Sequence, residues 1–252
     1  MVAALRAEAR SLLPLPQALS ADGTPAVSLR VQAGGIGCQR AARTAHELVR
    51  AGARALLCWG VAGALDPSLR CGDIVLATEV ISDTPLHLRL DSMRPTALPA
   101  RARLRTSAAW RGRMEAALVR HSPVVQAAVL TSQELVCGAV LKSKLFHDTT
   151  AVAVDMESAA VGVVARLHGV PFMALRVIAD TAADALPAVL QRAIGADRGD
   201  PLAWLSLLGA PAAWPGLLHM GKRYRIARRV LRHCARCGCV AGPAAPAAPL
   251  AP

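Results

Sequence analysis

Between Ala151 and Pro187 the chain reads AVAVDMESAAVGVVARLHGVPFMALRVIADTAADALP, an apolar run carrying Asp155, Glu157, Arg176, Asp180 and Asp184. The spacing puts Glu157 after one expected strand, at the opening of a helix, and Asp180 at the end of the next strand. Arg176 lies four residues earlier, on the same strand face as Asp180 by two-residue alternation. In open α/β sheets ligands sit beyond the carboxyl ends of the strands, so Glu157, Arg176 and Asp180 are expected to meet in one pocket. Such a trio suits cleavage of an N-glycosidic bond. The leaving base must accept a proton, the sugar develops positive charge against a carboxylate, and a cation holds the nucleophile. A purely structural reading makes Asp155 and Glu157 helix N-terminal charges and Asp180 a loop cap. Asp155 and Asp184 are assigned to that reading.

The elements that must position these groups follow an α/β order. VSLRVQ, ALLCWG, GDIVLATEVI, VVQAAVLTS, TTAVAVDM and VPFMALRVIAD read as strands, while CQRAARTAHELVRAG and ESAAVGVVARLHG read as helices closed by Gly52 and Gly169. This order predicts a single α/β domain over residues 1–240 with a central mixed β-sheet flanked by helices. The stretch from Ser82 to Arg113 reads as loop leading into a helix. A basic amphipathic helix is expected at about 221–237, with Ile226, Val230 and Cys234 on one side and most arginines on the other. It either packs on the domain or docks on anionic lipid. The Pro/Ala-rich tail 241–252 is expected to be disordered.

Composition narrows the classes. With 54% hydrophobic and 18% charged residues the chain is globular, and 3% aromatic residues leave few platforms for stacking nucleic-acid bases. A net charge of +12 favours anionic partners, with nucleic acid supported by charge alone. Seven scattered cysteines and no leader pattern indicate a reducing cytosol, with peripheral attachment to the inner membrane face as an option. The apolar stretch PLAWLSLLGAPAAWPGLLHM is interrupted by Pro211 and Pro215, against a membrane span. CARCGC with His233 lacks a second ligand pair at zinc spacing, and His87, His121, His147 and His168 share no motif. GGIGCQR is like a dinucleotide fingerprint, but Arg40 stands at its third glycine.

The run AVAVDMESAAVGVVARLHGVPFMALRVIAD resembles the core motif of the purine nucleoside phosphorylase and nucleosidase superfamily. The likeness continues through GGIG, WGVAGALDPSLRCGDIVLATEV and TSQELVCG, over roughly residues 1–184. The resemblance implies an enzyme without cofactor or metal that acts on a small-molecule nucleoside, commonly as a homo-oligomer. By position, Glu157 would bind the ribose hydroxyls, Met156 would pack on the ribose, and Asp180 would protonate the purine N7. Val136 would contact the purine through its backbone, with Leu135 in place of a stacking aromatic. Arg176 would hold the attacking water or phosphate, and Glu8 would activate water.

Gly35 and Gly37 of GGIG, with Gly60 and Val61, mark the nucleophile end, where free amides would contact an anion or water. Val61 replaces a common serine and Cys58 an arginine of phosphorylases, which favours hydrolysis unless Arg40, Arg43 or a neighbouring subunit substitutes. The chain begins close to Glu8, so either most of the first strand is expected to be missing or the start is misassigned. Within the superfamily the motifs are most similar to the hopanoid-associated phosphorylases, which implies removal of adenine from adenosylhopane. Methylthioadenosine, S-adenosylhomocysteine, futalosine and simple purine nucleosides are the competing substrates. A non-catalytic membrane-surface protein on the same scaffold is the reading from another class.

Overall fold

Two nine-residue strands, β3 (Leu56–Ala64) and β10 (Phe172–Asp180), pair in parallel at the middle of the fold. Both are near-continuous apolar runs, as expected of strands covered on both faces. The computed structural model describes residues 1–12, 29–90, 96–119, 123–186 and 214–240.

From β10 the sheet runs antiparallel to β4 (Ile74–Ser82), parallel to β8 (Val124–Thr131), and parallel again to β9 (Ala153–Asp155). β9 pairs antiparallel with the end of β3, so the mixed sheet closes on itself. Closure removes two edges that would otherwise present unpaired backbone groups. β1 (Val2–Ala3) and β2 (Gln32–Ala33) extend the sheet from β3, and β7 (Arg103–Arg105) pairs with β4. A separate pair joins β5 (Leu86–Leu88) to β6 (Thr96–Leu98).

Alternation along β3 and β10 divides the core in two. Cys58, Ala62, Ala174 and Ile178 pack with α2 (Cys38–Arg50) and α5 (Ser158–Leu167). Leu57, Trp59, Met173, Leu175 and Val177 pack with α3 (Ala108–Leu118) and α6 (Trp214–Arg236). α1 (Arg6–Ala9) runs into a 3₁₀ turn whose Ser11 hydroxyl accepts from the indole of fully buried Trp59 at 3.0 Å. A buried tryptophan needs such a partner. α4 (Ala139–Thr149) follows a glycine at Gly138 and ends with Thr150 in the left-handed region.

The single α/β domain with a mixed sheet and flanking helices is as expected, but four local readings are corrected. VSLRVQ is largely irregular where described, with strand only at Gln32–Ala33, because β2 pairs with just the two residues of β1. Among its described residues the Ser82–Arg113 stretch holds three short strands before its helix, hidden by the Pro and Arg content that reads as loop. The terminal helix begins at Trp214 rather than near residue 221, and carries Pro215 in its first turn, where the missing N–H costs nothing. Its buried stripe is Ala227, Leu231, Cys234 and Ala235, so Cys234 is buried as expected and Val230 packs at its edge, but Ile226 is exposed. The tail 241–252, His121 and most of the apolar stretch 201–220 lie outside the described residues. Among the described residues no helix is long and apolar enough to cross a membrane.

Candidate active site

The site is built where β3 and β10 end side by side. Arg176 sits opposite Gly60 and Asp180 opposite Gly63, with a register shift between Ile178 and Asp180. Both glycines are required by space. A Cβ at Gly60 would lie 2.6 Å from Arg176 Nη1 and 3.0 Å from Glu8 Oε1, and one at Gly63 would lie 2.9 Å from Asp180 Oδ2. The bare strand thus gives room for three charged side chains.

Arg176 is fully buried, so its charge requires partners on every side. Its Nε donates to Asp155 Oδ2 at 2.7 Å, and Nη2 donates to Ser158 Oγ at 3.0 Å and Cys58 Sγ at 2.9 Å. Glu157 Oε2 lies 3.8 Å from Nη2. Burial works against the guanidinium charge, yet Asp155 foremost, with Glu157 and Glu8, holds its pKa above the ordinary value. Asp155, at the end of β9, also holds the opening amides of α5. Its Oδ1 accepts from the Glu157 and Ser158 amides at 3.2 Å and from Thr131 Oγ1 at 2.7 Å, while Thr131 Oγ1 accepts from the Ala159 amide at 2.9 Å. The helix opening and the guanidinium are therefore fixed by one carboxylate.

Glu8 is 2% exposed. Its Oε2 accepts from the Leu5 amide at 2.9 Å and its Oε1 from the Val61 amide at 3.1 Å. Burial raises its pKa against those hydrogen bonds and the charge of Arg176. Glu157 Oε1 accepts from the Gly37 amide at 2.9 Å, and burial, opposed by Arg176, raises its pKa to about 7. Gly37 has φ +102°, a conformation that favours glycine, which aims its amide at Glu157.

The other end belongs to Asp180. Its Oδ2 accepts from Lys142 Nζ, which also donates to the Thr181 carbonyl at 2.8 Å and the Asp184 carbonyl at 3.2 Å. Burial raises the Asp180 pKa, with Lys142 as the main opposing influence. Asp184 accepts from the Thr181 amide at 2.6 Å and from Thr181 Oγ1 at 2.7 Å, and pairs with Arg223 of α6.

Glu8, Glu157, Arg176, Gly37, Gly60 and Val61 thus form one cluster, and Asp180 stands next to it at the end of β10, opposite Gly63. Met156 and Leu135 are half-buried, and Val136 is buried in a satellite core with Leu130 and Leu145. The expected free amides of GGIG are a correction. Gly34 and Gly35 donate to the Ala3 and Ala4 carbonyls at 3.0 Å, and Gly37 donates to Glu157. The cause is β1, whose short pairing consumes the turn. Val61 spends its amide on Glu8, Cys58 turns its thiol to Arg176, and Arg40 and Arg43 are exposed on α2.

Lys142, Ser158, Thr131 and Arg223 were not marked by sequence reasoning. Lys142 had a readable signal. It shares a helical stripe with Leu145 and Thr149, both buried, which is an unusual place for a lysine. At the C-terminal segment Cys234 and Cys239 are buried, Cys239 Sγ donating to the Cys234 carbonyl at 2.9 Å. Among the described residues no three potential metal ligands cluster.

Residues 22–197 match the family model described as the phosphorylase superfamily, and the chain belongs to that family. The matched span includes Gly37, Gly60, Glu157, Arg176 and Asp180 but begins after Glu8. A guanosine phosphorylase of Halorubrum lacusprofundi is 28% identical over 161 residues, 60% of this chain. The chain matches 58% of the length of that relative. The fold is similar to the 5′-methylthioadenosine/S-adenosylhomocysteine nucleosidase of Helicobacter pylori, with TM-score 0.62 and 19% identity over 92% of this chain and 95% of that one. Futalosine hydrolase of the same organism gives TM-score 0.62 and 18% identity over 92% and 94%. The Neisseria meningitidis nucleosidase gives TM-score 0.62 and 17% identity over 93% and 95%.

Proposed function

We propose that the protein cleaves the N-glycosidic bond of an adenine nucleoside. The observation that carries this reading is the juxtaposition of Glu8 and Arg176 around Gly60 with Asp180 beside Gly63, at the ends of two parallel strands. Glu157 binds the ribose hydroxyls, Met156 packs on the ribose, and the Leu135–Val136 backbone lines the base. Asp180, whose proton affinity is raised by burial, protonates N7 as the C1′–N9 electron pair goes to the base. Glu8 takes a proton from the attacking water, and Arg176, whose Nη1 flanks Gly60 beside Glu8, orients that water. Hydrolysis is favoured over phosphorolysis, because the Gly34, Gly35, Gly37 and Val61 amides are already bonded and Val61 has no hydroxyl.

Adenosylhopane is the proposed nucleoside, on the resemblance of the VDMES and Arg-to-Asp motifs to the hopanoid-associated enzymes. A lipid-linked substrate calls for membrane contact, and α6 offers a face for it. Trp214, Leu218, Lys222, Arg225, Ile226, Arg229, Arg232 and Arg236 are exposed, and α6 contains no acidic residue. Apolar and cationic groups on one helix face suit an anionic bilayer. The competing substrates are methylthioadenosine, S-adenosylhomocysteine, futalosine and guanosine.

The test is base release from adenosylhopane, methylthioadenosine and guanosine, each with and without phosphate. Phosphate-independent adenine release from adenosylhopane supports the full reading, and release from methylthioadenosine alone replaces the substrate. Strict phosphate dependence overturns hydrolysis. For the membrane arm, Lys222→Gln, Arg225→Gln and Arg229→Gln combined should abolish salt-sensitive sedimentation with phosphatidylglycerol vesicles, and unchanged sedimentation rules that face out.

A further inference from the structure

A lysine buried to 0% exposure is costly unless its charge is used or neutralised. Lys142 has all three ammonium protons engaged, by Asp180 Oδ2 and by the carbonyls of Thr181 and Asp184. Those acceptors are the last residue of β10 and the turn that follows it. Lys142 comes from α4, next to the Leu135–Val136 segment, whose Cys137 carbonyl accepts from the Leu186 amide at 2.8 Å. The lysine therefore ties the helix beside the base-lining segment to the strand end that carries the acid.

We propose that Lys142 is a positioning residue for departure of the base: its ammonium orients the Asp180 carboxyl and sets the pH range in which that carboxyl carries a proton. The inference rests on Asp180 being the acid that protonates the base. As the C1′–N9 bond breaks, its electron pair stays with the base, and the Asp180 proton passes to N7. The carboxylate left behind is met by Lys142, which keeps its own protons.

Burial alone would hold the Asp180 proton too tightly, and Lys142 opposes it through both charge and hydrogen bond. The other groups facing the pair are Asp184 after β10, Arg223 from α6, Cys137 before α4 and Cys71 from the β3–β4 turn. Asp184 is itself neutralised by Arg223, which leaves Lys142 as the cation bonded directly to Asp180.

The experiment follows adenine release from adenosylhopane and from methylthioadenosine by the full chain, from about pH 5 to about pH 9, for wild type, Lys142→Met, Lys142→Arg and Asp180→Asn. Lys142→Met is expected to lower kcat about 100-fold with KM within about threefold. Its alkaline limb should move up by about one pH unit, because loss of a neighbouring cation raises a carboxyl pKa. Lys142→Arg should keep the limb in place at about tenfold lower kcat, since the charge remains and the geometry changes. An unmoved limb in Lys142→Met beside an inactive Asp180→Asn overturns the proposal alone. Activity kept in Asp180→Asn, or no adenine release by the wild type, overturns the reading beneath it and this proposal with it. Should Lys142→Met fail to fold, Lys142→Arg decides, and wild-type kcat in that variant counts against the role.

Discussion

The two ends of the candidate site are held by different means. At the Gly60 end, Arg176 is fixed by Asp155 at the end of β9, by Ser158 at the start of α5, and by Cys58 on the neighbouring strand. At the Gly63 end, Asp180 is held by Lys142 from α4, and its following turn is held by Arg223 from α6. The first end is a rigid ionic lattice inside the sheet. The second depends on two helices meeting one turn, with Asp180 15% exposed at its side chain. The difference suits the proposed chemistry, because the nucleophile end must stay fixed while the base end must let a product leave.

The sharpest way to break this contrast is to disable each end separately. Asp180→Asn is expected to lower kcat by about 10⁴-fold, since the amide matches the carboxyl in volume but has no proton to give. Its melting temperature should fall only modestly, because the buried Lys142 loses its counter-ion but keeps an amide oxygen and the Thr181 and Asp184 carbonyls as acceptors. Arg176→Met should do the reverse kind of damage. It leaves Asp155 buried without its cation, a loss of about 3–5 kcal/mol in stability by the usual cost of breaking a buried pair. Denaturant unfolding separates the two. Equal destabilisation by both substitutions would remove the distinction between a fixed and an open end.

The same contrast governs how much the sequence could disclose. β3, β4, β8 and β10 are long and apolar, and α2 and α5 end in glycines, so hydrophobic periodicity and stop signals locate them. Glu157 and Asp180 stand at the junctions of those elements, which made them legible. Asp155 reads as a helix charge, and it is one, but its second bond to Arg176 crosses from one strand end to another and leaves no local mark. β1 and β2 have only two paired residues each, too short for any period, so their use of the GGIG amides was hidden. Lys142 and Arg223 act across 38 and 39 residues of chain. Tertiary pairing of this kind has no spacing rule to reveal it.

A pH measurement sharpens the comparison further. Glu157 has its pKa raised from the ordinary 4.5 to about 7, so the folded protein binds more protons than the unfolded chain between those values. Stability should therefore fall as pH rises from about 4.5 to about 7. Glu8 and Asp180, both raised, act in the same direction. Glu157→Gln should flatten the decline without removing it, measured as Tm against pH in a constant-ionic-strength buffer. A slope equal to that of the wild type would mean that Glu157 is not titrating in this window.

The smallest expected effect concerns α6, which reaches both ends of the site through consecutive residues. Tyr224 is buried enough for its phenol to be pushed up to about 12, first by desolvation and then by the charge of Glu8, while Arg223 pairs with Asp184. Asp184 has its pKa lowered, with its bonds from Thr181 and the charge of Arg223 outweighing desolvation. Its contribution to stability is therefore present above the unfolded aspartate pKa and is lost as pH falls through the lower folded value. Arg223 and Asp184 are 24% and 22% exposed at their side chains, so the pair is partly screened. Arg223→Ala should cost no more than about 1 kcal/mol at neutral pH, with less cost in acid, where Asp184 is protonated. Its effect on activity should also be modest, at about twofold to tenfold in kcat, because Lys142 still bonds the Thr181 and Asp184 carbonyls. A loss as large as that of Asp180→Asn would mean that α6, rather than α4, holds the acid in place, and the two ends would then share one helix as their common support.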